Sequence, residues 1–132
     1  MKKLSILLLI LVIGCNDPQK EKLGELSNQT SVILKETGKD SSLEAYYLFS
    51  GIREYAEKYE GLESNQQAFK LFRTVRDRLK IDKTKYKKLD DFIESKLFEA
   101  GLDTPKKFDE ESRKKFVELF KQFELGALDA CR

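Results

Sequence analysis

Two thiols and no imidazole set the range of chemistry open to this chain. Its 132 residues include Cys15, Cys131 and no histidine. That removes an imidazole general base, serine–histidine and cysteine–histidine nucleophile pairs, and histidine-ligated zinc. Two cysteines are too few to close a structural zinc site within one chain. Carboxylates are abundant, but Asp90-Asp91 and Asp109-Glu110-Glu111 are consecutive. Adjacent helical residues point about 100° apart, so these acids do not converge on one substrate as a paired-carboxylate hydrolase requires. Asp109 to Glu111 suit the positive end of a helix. No P-loop, GxGxxG, GxSxG or EF-hand pattern occurs. The expectation is a non-enzymatic protein with no cofactor and no metal.

Cys15 has a special setting. Met1-Lys2-Lys3 is a basic start, and LSILLLILVI over 4–13 is apolar and uncharged. As a helix that run is about 15 Å long. A bilayer core of about 30 Å needs around 20 apolar residues, so the pattern is that of a secretory signal. Leu11-Val12-Ile13-Gly14-Cys15 resembles the lipobox of bacterial lipoproteins. Aliphatic residues suit a membrane-embedded processing enzyme, Gly14 leaves room at the scissile bond, and the thiol is the nucleophile. The resemblance implies cleavage before Cys15, a diacylglycerol thioether on its sulfur and acylation of its new amino group. The competing reading is an ordinary signal peptide with an unrelated cysteine. One acyl chain holds a membrane only marginally, whereas two anchor stably. The expected organisation is a signal peptide over 1–14, a lipidated Cys15 with a flexible, partly helical tether over 15–40, and a helical domain over 41–132. The membrane is then a partner through the lipid at Cys15.

Charge is uneven rather than extreme. Lysine and arginine total 25 against 23 acids. Removing 1–14 removes Lys2 and Lys3 and leaves 23 of each. A global argument for nucleic-acid binding therefore fails. Residues 70–88 nonetheless hold nine cations: Lys70, Arg73, Arg76, Arg78, Lys80, Lys83, Lys85, Lys87 and Lys88. Only Asp77 and Asp82 oppose them. On a helix Arg73, Arg76 and Lys80 share a stripe. Such a run can receive a glycosaminoglycan or another polyanion, driven by counterion release. The bland reading is a solvated face balanced by acids from neighbouring helices.

Those side chains must be positioned by helices. Ser41-Ser42-Leu43-Glu44 and Ser64-Asn65-Gln66-Gln67 both read as capping boxes. Leu48, Ile52, Tyr55, Ala56 and Tyr59 follow the first at helical spacing, with Gly61 as a left-handed stop. Ala68, Phe72, Val75 and Leu79 follow the second. Tyr86, Leu89, Ile93, Leu97 and Ala100 form a third stripe ending at Gly101. Thr104-Pro105 reads as a helix start before Phe116, Phe120, Phe123 and Ala127. The helices are expected over about 41–60, 64–80, 84–100 and 105–128, with a weaker one near 22–36 where SNQTS favours fraying. No run alternates at period two. The fold class is therefore all-α, a compact antiparallel bundle of four to five helices.

Two further features carry alternatives. Tyr46, Tyr47, Phe49, Tyr55 and Tyr59 form either a core stripe or an exposed protein-binding patch. Tyr47 is the outlier, because Ser50 and Gly51 are its helical neighbours. Cys131 lies on the stripe of Ala127, as an inert thiol or one half of an intermolecular disulfide.

Taken whole, MKKLSILLLILVIGC, a polar tether and a lysine-rich helical body resemble the plasmid-encoded outer surface lipoproteins of Lyme disease spirochaetes (Borrelia). EAYYLFSGIREYAEKYEGLES and FVELFKQFELGALDACR resemble the Orf-D paralogous group. The resemblance implies an outer-membrane lipoprotein at the cell surface that meets a host or vector macromolecule. A periplasm-facing structural lipoprotein is the alternative. No binding residue carries over from the resemblance.

Overall fold

The computed structural model describes residues 24–78 and 83–132, the side chains of Lys83 and Lys85 excepted. Five helices make an all-α bundle: α1 Glu25–Lys35, α2 Lys39–Lys58, α3 Asn65–Arg76, α4 Lys83–Glu99 and α5 Glu110–Ala130. No strand occurs among the described residues; a lone antiparallel bridge joins Ser64 to Lys107.

Phenylalanines organise the core. Phe120 on α5 lies 4.8 Å from Phe116, 5.1 Å from Phe123, 5.9 Å from Phe72 and 6.0 Å from Phe49, ring centre to ring centre. All five are fully buried, as are Ile52, Leu89, Ile93 and Leu97 from the predicted stripes. Each such side chain contributes roughly 1.5–3 kcal/mol on burial. Aromatic pairs add about 0.5–1.5 kcal/mol through edge-to-face and offset geometry.

Helix directions follow from the contacts. Ser50 and Arg53 of α2 meet Glu124 of α5, while Arg113 of α5 donates to the Ala56 and Tyr59 carbonyls at the other end of α2. α2 and α5 are therefore antiparallel. Arg73 and Arg76 of α3 meet Glu94 and Asp90 of α4 in the same opposed sense. α1 runs parallel to α5: Gly24 lies by Gln122, Thr30 by Gly126 and Ser31 by Asp129. Two successive reversals, α1 to α2 and α2 to α5, produce that parallel pair.

Several local expectations hold. Ser64 caps α3 by accepting from the Gln67 backbone N–H, and the Gln67 side chain accepts from the Glu63 N–H at 2.6 Å. Gly101, at φ +74°, ends α4. The Leu102 N–H bonds the Leu97 carbonyl and the Gly101 N–H bonds that of Phe98, both at 2.9 Å. This is the paired closure of a Schellman turn, and the Leu97 and Leu102 side chains at its ends are both buried.

Others are corrected. The α2 helix starts at Lys39 behind Gly38, at φ +106°, so Ser41 is not its cap. Ser42 is instead buried and donates to the Leu34 and Gly38 carbonyls. Gly61 does not adopt a left-handed conformation; a Cβ there would strike the Tyr59 ring, which lies over it. Thr104-Pro105 starts no helix. Residues 106–108 pair with 63–65 through Asn65 N–H to the Lys106 carbonyl and Phe108 N–H to the Glu63 carbonyl. This buries Phe108. Asp109 then caps α5 by accepting from the Ser112 N–H at 2.9 Å. The packed body also begins before residue 41. The SNQTS segment is helical in α1, and Ser27, Thr30 and Ser31 are buried against α5 with Leu34.

Candidate functional site

The basic stretch folds onto carboxylates. Arg76 grips Asp90 at 2.7 and 2.8 Å, reaches Glu94 at 3.1 Å and meets Asp77 at 3.2 Å. Arg73 forms two bonds to Glu94 at 3.0 and 3.2 Å, its guanidinium 4.7 Å from the Phe69 ring centre. A planar guanidinium suits such two-point pairing. Burial works against the charge on Arg76, yet the bonds to Asp90 and Asp77 outweigh it and raise its pKa further. Asp90 is raised by burial, partly offset by the Arg76 guanidinium. Beneath this cluster the Tyr86 hydroxyl has no hydrogen-bond partner among the described residues, and burial pushes its pKa up.

Neutralisation extends along α4. Lys87 pairs with Asp91 at 2.9 Å, and Lys88 with Glu36 at 3.5 Å. Four of the nine predicted polyanion ligands therefore have acidic partners. Lys70 and Arg78 are exposed and have no ion pair among the described residues. Lys80 lies outside the described residues, as do the side chains of Lys83 and Lys85. Lys70 edges a polar cleft of about 490 Å³ with Gln66, Gln67, Phe69, Arg73 and Asp103. The stripe of Arg73, Arg76 and Lys80 is thus not a free cationic row. Asp90 and Glu94 lie 14 to 21 positions along the sequence from the arginines they meet, so the run taken alone overstated the charge on offer.

The aromatic set divides. Tyr46 and Phe49 are buried, whereas Tyr47, Tyr55 and Tyr59 are 55%, 42% and 45% exposed. Tyr55 and Tyr59 stack with ring centres 4.7 Å apart. Gly51 sits between Tyr47 and Tyr55 with open space where a side chain would be. Tyr47 is exposed as its polar helical neighbours predicted. Tyr55 and Tyr59 belong on the outside, because Ile52 and Ala56 already occupy the inward face.

Cys15 lies outside the described residues. Cys131 is half-buried, its thiol donating weakly to the Leu128 carbonyl at 3.4 Å. Burial raises its pKa, keeping it a thiol rather than a reactive thiolate. No group of acids and cysteines suited to a metal ion occurs among the described residues. No helix among them is long and apolar enough to cross a membrane. Comparison of the chain with known protein families, curated proteins and solved structures gives no match.

Proposed function

We propose that the chain is a bacterial outer surface lipoprotein, anchored through Cys15, whose helical body meets a host or vector macromolecule without enzymatic chemistry. One observation carries this reading: the thiol of Cys15 follows Leu11-Val12-Ile13-Gly14 at the end of an uncharged apolar run. The helical body begins at Glu25. Nine intervening residues, NDPQKEKLG, span at most about 30 Å fully extended. That is a shorter leash than a tether reaching residue 40, and it keeps the body close to the lipid surface.

Two exposed faces are available to a partner. One carries Lys70 on α3 and Arg78 just beyond its end, suited to a polyanion such as a glycosaminoglycan. The other is the tyrosine face of α2. Mass spectrometry of membrane-extracted protein should find residues 1–14 removed and Cys15 acylated. Protease added to intact cells should then remove the protein. Protection until the outer membrane is opened would overturn the surface assignment in favour of a periplasm-facing lipoprotein. An unmodified Cys15 would overturn the anchor itself. Heparin retention of the folded body tests the polyanion contact. Replacing Lys70 and Arg78 should lower the eluting salt more than replacing Arg73 and Arg76, whose charges are already met.

A further inference from the structure

The exposed face of α2 is close to a palindrome. Leu43, Tyr47, Gly51, Tyr55 and Tyr59 recur every four residues, and all five are exposed. They include four of the six large apolar side chains left exposed among the described residues. The row covers about 24 Å of helix. Gly51 is its centre. Tyr47 and Tyr55 stand four positions to either side, and Leu43 and Tyr59 stand eight. Seven positions to either side stand Glu44 and Lys58, of opposite charge. No ion pair to either is seen among the described residues.

A two-fold contact needs a patch that is complementary to itself, so that residue i meets j and j meets i. We propose that this face binds the same face of a second copy, with the two α2 helices crossing antiparallel at Gly51. Each Tyr47 then lies against the partner's Tyr55, while Leu43 and Tyr59, turned about 80° from Gly51 to opposite sides, flank the contact. Each Glu44 meets the partner's Lys58, giving two symmetric ion pairs. A depression of about 480 Å³ lined by Gly51, Glu54, Tyr55, Lys58 and Tyr59 receives the opposing aromatic ring. Gly51 has no side chain to keep the helices apart, and among the described residues no neighbouring side chain lies within 4 Å of where its Cβ would stand. Gly61 contributes from the helix end: with no side chain it lets the Tyr59 ring fold over it and stack on Tyr55. The outer tyrosines are thus held in place before the partner arrives, which lowers the ordering cost of association.

Unlike a foreign partner, a second copy accounts for both the spacing and the charge order. Tyrosine suits the contact because it offers a large, rigid area at low entropy cost. A single helix face places the contact in the weak class, below about 1,200 Å² in total. Such a contact forms when chains are concentrated together, as on a shared surface. It is independent of which side of a membrane the body faces.

Cross-linking in membranes from cells expressing the full chain tests this. In a Cys131→Ser background, Gly51→Cys places thiols at the crossing, and Lys115→Cys places them on an exposed turn of α5. The chain with neither added cysteine sets the baseline for Cys15. Under mild oxidation Gly51→Cys should form a disulfide-linked dimer about tenfold faster than Lys115→Cys. Adding Lys58→Glu should cut that rate severalfold, and adding Glu44→Lys to it should restore the rate, since the swapped charges again oppose. Equal rates at positions 51 and 115 would overturn the proposal. So would failure of the double charge swap to recover what the single change loses, because that loss would then come from within one chain.

Discussion

Helix α5 is packed on two sides by opposite means. Against α2 it presents Phe120 and Phe123 to Phe49, with Ile52 alongside, and locks the seam with Glu124 gripping Arg53 at 2.5 Å and accepting from Ser50. Against α1 it presents Gly126, over which the Ser27 carbonyl and Thr30 side chain pass directly. Ser31 donates to Asp129 at 2.7 Å, while the hydroxyls of Ser27 and Thr30 turn back to their own helix at the Gly24 and Leu26 carbonyls. The first seam draws on apolar area. The second draws on close backbone approach, with Leu34 as the one fully buried apolar side chain that α1 supplies. Stability should therefore be unequal, with α1 the element that opens at lowest cost.

The largest effect expected is at the shared centre. Phe120→Ala removes the ring that touches four others and should cost about 3–5 kcal/mol. Urea unfolding followed at α1 and at α2 should show both midpoints falling together. A midpoint that barely moves would mean that Phe120 is not the centre of the core.

Gly126→Ala separates the two seams. An added Cβ would lie 2.5 Å from the Ser27 carbonyl oxygen and 2.6 Å from the Thr30 Cβ. Overpacking of this kind costs about 1–3 kcal/mol, against roughly 1 kcal/mol gained in helix propensity from replacing glycine. The relief available is to lift α1. Amide hydrogens over Glu25–Lys35 should then exchange much faster while those of α2 and α5 keep their protection. Unchanged exchange in α1 would show that the close approach at Gly126 does not hold it.

Ser31→Ala is the gentler version. It deletes one hydrogen bond to Asp129, a loss of about 1 kcal/mol. Lys35 and Arg132 remain near that carboxylate at 3.8 and 3.7 Å. The loss should appear in α1 exchange alone, and a matching fall in global stability would mean that α1 and the core open as one unit.

The two seams also differ in how far they were legible. Phe116, Phe120, Phe123 and Ala127 announce a buried face by spacing alone, as do Leu89, Ile93 and Leu97. Apolar residues mark α1 only in part, at Leu26, Ile33 and Leu34, because the rest of its buried face is Ser27, Thr30 and Ser31. Small hydroxyl residues at helical spacing look the same whether they pack against a glycine or face water, and the glycine concerned lies almost a hundred residues away. The same blindness affects caps. Ser41 and Asp109 both qualify by type; what decides between them is the chain just before. Gly38 at positive φ turns the chain early and puts Ser41 inside the helix, whereas residues 106–108 stay extended to pair with 63–65 and leave Asp109 at the start. The basic stretch was legible as charge and not as charge already matched, since Asp90 and Glu94 reach Arg73 and Arg76 only once α3 and α4 are folded back on each other.

The smallest effect expected is at the α5 start, which serves both seams equally. Bonds from Ser112 hold the Asp109 carboxylate below its ordinary pKa. A carboxylate whose pKa is depressed by folding contributes stability that is complete above the unfolded value, about 3.9. That contribution is lost as the pH falls through the lower folded value. Asp90 acts in the opposite sense, because burial raises its folded pKa and the native state takes up its proton more readily than the unfolded chain. Asp109→Asn keeps a side-chain oxygen for the Ser112 N–H but removes the titration. Melting temperature against pH should therefore fall less steeply below pH 4 in the variant than in the parent, with the two curves apart at neutral pH and converging in acid. The α1 and core transitions should shift together, since the cap precedes both contacts of α5. Parallel curves across the acid range would show that the Asp109 charge contributes nothing beyond the hydrogen bond asparagine can also accept.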